Sequence, residues 1–135
     1  MSLLFSDAHL KPGVEGQSHR QSLIDFLRRS RDRYGWNRIV CLGDLFDFWF
    51  EYRHVCFSGY FDILRTFAGL RDEGVELHLA CGNHDFWAGS FLEHEIGFAI
   101  HRQAFPLTFG TTQALLFHGD GVDPADRGYR AYRMV

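Results

Sequence analysis

Leu4-Phe5 runs into Ser6-Asp7-Ala8-His9, Val40-Cys41-Leu42 into Gly43-Asp44, Leu79-Ala80-Cys81 into Gly82-Asn83-His84-Asp85, and Leu116-Phe117 into His118-Gly119-Asp120. Behind each apolar run stand carboxylate, imidazole or amide groups, and a glycine beside three of these sets lets the backbone turn tightly. These residue types suit a divalent cation. Asp7 and His9 are two apart, so on an extended segment both side chains point the same way. One metal can then take a carboxylate oxygen and an imidazole nitrogen together. Asp44 has two oxygens with which to bridge a pair of cations, and Asn83 and His118 then serve the second. A set of Asp, His and Asn without thiolate suits Mn²⁺, Fe²⁺, Zn²⁺ or Mg²⁺ better than Cu⁺ or a structural zinc. Two such ions, about 3.5–4 Å apart, clamp a phosphate and lower the pKa of a water between them. His84 is placed to give a proton to a leaving oxygen or to stabilise charge on the phosphoryl group. Asp85 and Asp120 are expected to orient their neighbouring histidines rather than to bind metal.

One Asp behind a strand is more often a turn former or a cap than a ligand. By the same reasoning His19, His54, His78, His94 and His101 are read as surface or satisfied core residues. Four independent turns, however, would not all choose metal-ligand chemistry.

The elements that must position these groups are legible from the apolar pattern. Ser2–Phe5, Ile39–Leu42, Val75–Cys81 and Ala114–Phe117 read as strands, three of them continuously apolar as buried strands are. Gln17–Tyr34 carries Leu23, Ile24, Phe26 and Leu27 among polar residues and arginines, which predicts an amphipathic helix stopped at Gly35. A second helix is predicted from Gly59 to about Asp72, with Tyr60, Ile63, Leu64 and Phe67 on its buried side and Gly74 behind it. Alternating strand and helix implies βαβ units and a largely parallel sheet, whose carboxyl edge is where ligands bind. Phe98–His101 and Pro106–Phe109 are shorter strands, the second leading by a hairpin into Ala114–Phe117. Ala125–Val135 reads as a last helix.

The chain has 135 residues, 46% of them hydrophobic, which suits one domain with a core. Its formal charge of -3 offers no basic excess, so no nucleic-acid partner is expected. No apolar run approaches the ~20 residues that span a bilayer. Met1 leads directly into a strand-like run, so no signal peptide is expected. Cys41, Cys56 and Cys81 are scattered and form no CxxC pair, which points to reduced, mostly buried thiols and a cytoplasmic protein. Cys41 and Cys81 sit inside strands and are read as core.

These blocks resemble the calcineurin-like metallophosphoesterase family, whose signatures are D-x-H, G-D, G-N-H-[DE], H-G and finally G-x-H-x-H. The first four are present in order as Asp7-Ala8-His9, Gly43-Asp44, Gly82-Asn83-His84-Asp85 and His118-Gly119. The resemblance implies a partial αββα sandwich of mixed, largely parallel sheets, with residues 1–135 the N-terminal part of a single metallophosphoesterase domain. It assigns Asp7 and His9 to a first metal, Asp44 as the bridge, and Asn83 and His118 to a second. The block Gly43-Asp44-Leu45-Phe46-Asp47-Phe48-Trp49-Phe50-Glu51-Tyr52 is similar to one branch of the family, the lipid A pathway hydrolases of UDP-2,3-diacylglucosamine. So are Gly82–Trp87 and His118–Gly121 followed by Asp126, Tyr129 and Arg133. That branch implies a metal ion pair, Mn²⁺ foremost, and attack of water at the α-phosphorus to give UMP and lipid X. It also implies a phosphorylated lipid or small-molecule substrate bound by Asn83, His84, Asp126 and Arg133, and peripheral contact with the inner membrane.

Phe46, Phe48, Trp49, Phe50, Tyr52 and Phe57 either face acyl chains and the membrane surface or pack ordinarily. Arg127, Arg130 and Arg133 either pair with phosphate oxygens or form a solvated helix face. Two departures stand beside the match. The branch's best-characterised enzymes carry Arg at the position of His84, and the G-x-H-x-H block does not occur before Val135, so the chain is expected to be a C-terminally truncated piece. The rival readings are a nucleotidase or phosphodiesterase with the same metals, and a non-catalytic metal-binding module.

Overall fold

The structure, a computed structural model, describes residues 1–120; the expected helix Ala125–Val135 and the residues Asp126, Arg127, Tyr129, Arg130 and Arg133 lie outside the described residues. β1 (Ser2–Phe5), β2 (Arg38–Cys41), β3 (Glu76–Ala80) and β4 (Phe98–His101) form a parallel sheet in that order. Leu3 pairs with Ile39, Ile39 with Leu77, and Leu77 with Phe98. β5 (Phe105–Phe109) and β6 (Thr112–Leu116) form an antiparallel hairpin, with Phe105 opposite Leu116.

Strand periodicity splits the sheet residues between two cores. Ile39 and Cys41 of β2 and Leu77 and Leu79 of β3 join the large core that includes Ile24 and Leu27 of helix α1 (Gln17–Tyr34) and Ile63, Leu64 and Phe67 of helix α2 (Phe61–Asp72). Val40 and Ala80, on the opposite face, pack with Phe105 and the half-buried Leu107 and Leu116. Helices thus cover one face and the hairpin the other, which explains why β2 reads as an unbroken apolar run.

α1 buries Arg20, Ile24, Leu27 and Ser30, one stripe at helical spacing, and stops where Gly35 turns left-handed (φ 61°) and donates its N–H to Arg31 O at 2.7 Å. Phe26, expected on the apolar face, lies off that stripe and is exposed. Arg20 is buried because its Nε donates to Asp62 Oδ1 at 2.7 Å and its Nη1 to the Lys11 carbonyl, tying α1 to α2. Burial pushes the Asp62 carboxyl up, but the hydrogen bond from Arg20, the Ile63 N–H and the Arg20 charge together outweigh this and leave it below the usual carboxylate range. The second helix begins two residues later than expected, after a 3-10 turn at Ser58–Tyr60; β1 and β4 fall where expected, and the other strands shift by one or two residues at their ends.

The aromatic stretch behind β2 splits in two. Phe46 and Trp49 are buried, stacked at 4.6 Å and backed by Tyr60, whereas Phe48 and Tyr52 are exposed and Phe50 and Phe57 are half-buried. Ordinary packing therefore holds for Phe46 and Trp49, while Phe48 and Tyr52 are open to solvent.

Candidate metal centre

The segments leaving β1 and β2 run side by side. Leu42 N–H donates to Phe5 O at 2.8 Å, Asp7 N–H to Gly43 O at 3.0 Å, His9 N–H to Asp44 O at 2.9 Å and Leu10 N–H to Leu45 O at 3.0 Å. Asp7, His9 and Asp44 are the non-glycine residues with left-handed backbone among the described residues (φ 55°, 43° and 52°). Such conformations cost roughly 1–3 kcal/mol each and persist where surrounding contacts over-determine them. Here the inter-segment hydrogen bonds do so. The Asp7–His9 segment is therefore not extended, contrary to the expectation from its spacing. The two side chains nevertheless converge, with His9 Nε2 3.9 Å from Asp7 Oδ1.

Asp44 is the hub. It is 3% exposed, and its Oδ1 accepts the His84 N–H at 3.0 Å. Its Oδ2 stands 3.7 Å from His9 Nε2 and 3.5 Å from His118 Nε2. His118 Nδ1 donates to Leu42 O at 2.7 Å, and His84 Nδ1 donates to Asp47 O at 2.5 Å. A carbonyl only accepts, so both Nδ1 atoms carry hydrogen and each neutral ring presents a bare lone pair at Nε2. Nε2 of a neutral His118 thus faces a carboxylate oxygen, an arrangement with room for a cation beside both. Two ligand groups share Asp44, each with its ligand atoms within 4.8 Å of one another: His9, Asp44 and His84, and Asp7, Asp44 and His118. His9 stands 3.9 Å from Asp7 as well as 3.7 Å from Asp44, so the pair expected to share one metal also lies together. Asn83 is exposed on the loop between Gly82 and His84. The donor set fits divalent cations.

Two glycines are dictated by this packing. A Cβ on Gly82 would stand 2.0 Å from Asp44 Oδ1, and one on Gly43 would stand 2.3 Å from His118 Nδ1. The role expected of Asp85 needs correction. Its buried carboxylate does not orient His84; it accepts the main-chain N–H groups of Gly82 and Leu45, both at 2.7 Å, and of Asp44 at 3.3 Å. Burial pushes its pKa up, against those N–H groups, and the Asp44 charge pushes the same way. Sequence reasoning found Asp85 by its motif but missed that it welds two ligand loops through their backbones, since main-chain donors carry no residue type. Cys41 is a core thiol, its pKa raised well above the ordinary value by burial.

A model of the calcineurin-like phosphoesterase family matches residues 2–129. The chain belongs to that family. A UDP-2,3-diacylglucosamine hydrolase of Porphyromonas gingivalis is 38% identical over 85% of this chain and 44% of its own length. Proteins of the same name from Aeromonas salmonicida and Neisseria meningitidis serogroup B are 31% and 30% identical, covering 100% and 96% of this chain and 52% of each relative. The chain spans about half the length of these curated relatives. The fold is shared with a Pseudomonas putida nuclease (TM-score 0.52, 18% identity, 82% of this chain and 56% of that one). It is shared too with a protein of unknown function from Aquifex aeolicus (TM-score 0.52, 16% identity, 99% and 68%). Calcineurin-like phosphoesterases rely on divalent metal, and the Asp44 cluster supplies ligand groups for it. Among the described residues no helix is long and apolar enough to cross a membrane.

Proposed function

We propose that residues 1–135 form the N-terminal part of a single metallophosphoesterase domain that hydrolyses UDP-2,3-diacylglucosamine to UMP and lipid X with two divalent cations, Mn²⁺ foremost. The observation that carries the two-metal reading is the position of Asp44 Oδ2 between the Nε2 atoms of His9 and His118. Asp7, His9 and Asp44 would hold one ion; Asp44, Asn83 and His118 would hold the other. When bound, the ions polarise phosphoryl oxygens and lower the pKa of water. The chain's own contribution is to hold the donors still. His84, its ring fixed by the bond from Nδ1 to Asp47 O, would donate a proton to the leaving oxygen. Asn83, His84, Asp126 and Arg133 would contact the substrate.

The lipid substrate is supported by the name and 38% identity of the Porphyromonas relative and by exposed rings at Phe48, Tyr52 and Trp87. On this reading the protein would work in the cytoplasm, in peripheral contact with the inner membrane that holds the lipid. A second reading, a nucleotidase or phosphodiesterase, is favoured by the burial of Phe46 and Trp49, which removes two rings from the surface offered to acyl chains.

The full-length protein with Mn²⁺ should hydrolyse UDP-2,3-diacylglucosamine far faster than UDP-N-acetylglucosamine or simple nucleotides, and release UMP. Equal rates on acylated and unacylated sugars would leave only the second reading. Asp44→Ala should abolish metal binding, whereas His84→Ala should keep metal and lower turnover by roughly 10²–10⁴-fold. Equal metal loss in both variants would make His84 a ligand.

A further inference from the structure

Segments 49–52 and 84–92 lie together although, apart from a single π-helical turn at Phe91–Ile96, neither has regular structure. Three ties join them. Trp49 N–H donates to His84 O at 3.0 Å, Phe50 and Trp87 form an isolated parallel bridge, and Glu51 gathers main-chain donors. The Glu51 carboxylate accepts the N–H groups of Gly89 and Phe91 at 2.8 Å each and of Leu92 at 3.2 Å, with the Trp49 indole N–H at 3.3 Å. A side chain spending both oxygens on backbone donors is a clamp, because each bond is charge-assisted and fixes main chain. A Cβ on Gly89 would stand 3.0 Å from Glu51 Oε2, so the approach is tight. The arrangement is reciprocal, since Asp85 sends its carboxylate the other way, into the amides of Asp44 and Leu45.

What Glu51 fixes is a surface. Phe50 packs against Trp87 at 5.7 Å and Tyr52 at 4.8 Å, and Phe86 meets Trp87 at 5.5 Å. Trp87 is 46% exposed and Tyr52 61%, so the cluster is a shelf open to solvent. The shelf begins two residues beyond His84. A cavity of about 350 Å³ adjoins it, lined by Glu51 with Phe50, Tyr52, Val55 and Phe91. Glu51 belongs to neither ligand group of the metal centre.

We infer that Glu51 is a positioning residue that locks this shelf to the metal loops and so sets selection for the apolar part of the substrate, an inference that rests on the lipid reading above. Glu51→Gln keeps the shape but turns an NH₂ group toward main-chain donors. In the full-length protein it should raise KM for UDP-2,3-diacylglucosamine about tenfold with kcat within about twofold. Hydrolysis of bis(p-nitrophenyl) phosphate and calorimetric Mn²⁺ affinity should stay unchanged, which also shows that the variant folds. Acrylamide quenching of Trp87, isolated by difference against Trp87→Phe in each background, should increase. Adding Glu51→Gln to Trp87→Ala should change KM little further, because both act through the same shelf. Unchanged KM and quenching would overturn the inference, as would equal losses on both substrates or full additivity with Trp87→Ala. A parent protein that cleaves the diester but not the lipid nucleotide sinks the substrate reading alone, and quenching then decides the clamp.

Discussion

Gly82→Ala adds one methyl group at the point where the β3 loop meets Asp44. The new Cβ would lie 2.0 Å from Asp44 Oδ1, 2.7 Å from its N and 2.8 Å from its Cγ. Ordinary contact begins near 3.4 Å, so something moves by more than 1 Å. If Asp44 rotates away, the His84 N–H loses its acceptor at 3.0 Å, and Oδ2 leaves its place between His9 and His118. If the loop moves instead, the 2.7 Å bond from Gly82 N–H to Asp85 is lost. Overpacking costs about 1–3 kcal/mol, and a lost bond to a charged group adds about 1.5–3 kcal/mol. The sum expected is about 2–4 kcal/mol, below full addition because one movement relieves part of the clash. Urea denaturation of metal-free protein measures it, and calorimetry should show Mn²⁺ affinity reduced at least 10–100-fold, the range for disturbed support of a ligand. A Gly82→Ala protein with parental stability and parental metal affinity would refute the packing argument.

Two further outcomes test other parts of the fold. Gly69→Ala, the same substitution inside α2, should stabilise by about 0.5–1 kcal/mol in the same denaturation assay, because its Cβ meets nothing within 4 Å and Gly is a poor helix former. His78 and His101 stack between β3, β4 and Phe105, and burial holds both imidazoles below their ordinary value; the Arg38 charge adds to this at His78, against Glu76, and His78 adds to it at His101. The unfolded histidines take protons near pH about 6.5 while the folded ones resist, so this stability is whole above that pH and lost as pH falls through the folded values. The urea midpoint should therefore drop from pH about 7.5 to about 5.5, and more shallowly in His78→Leu/His101→Leu; an equal drop in both proteins would remove these two residues from the account.

The sheet was legible because both of its faces are covered, so β1 and β2 read as largely apolar runs, and β3 through its alternating apolar residues, without needing the partner strands to be known. α1 was legible to the residue, since Gly35 supplies a left-handed stop and Ile24 and Leu27 the buried stripe. Phe26 was misplaced because periodicity gives a face only to within about one residue's rotation, and Arg20 claimed the buried position through a partner 42 residues away. The aromatic stretch was not legible. Residues 45–57 follow neither helical nor strand period, and only tertiary contacts decide that Phe46 and Trp49 go inward while Phe48 and Tyr52 go out.

The candidate site shows the same division between what a residue type declares and what a backbone does. Asp7, His9, Asp44, His84 and His118 declare themselves by type, and their place behind strands brings them together. Their geometry is another matter. The left-handed backbones at Asp7, His9 and Asp44, the carbonyls of Leu42 and Asp47 that set two histidine tautomers, and the amides collected by Asp85 and Glu51 are all main-chain features. Glycines are the one trace they leave in the sequence. Gly43 and Gly82 stand where any side chain would strike His118 or Asp44, so the G-D and G-N-H blocks encode clearance as well as turns. A glycine beside a ligand residue is thus evidence that another ligand approaches its back, a signal that could have paired β2 with His118 and β3 with Asp44 before any fold was seen.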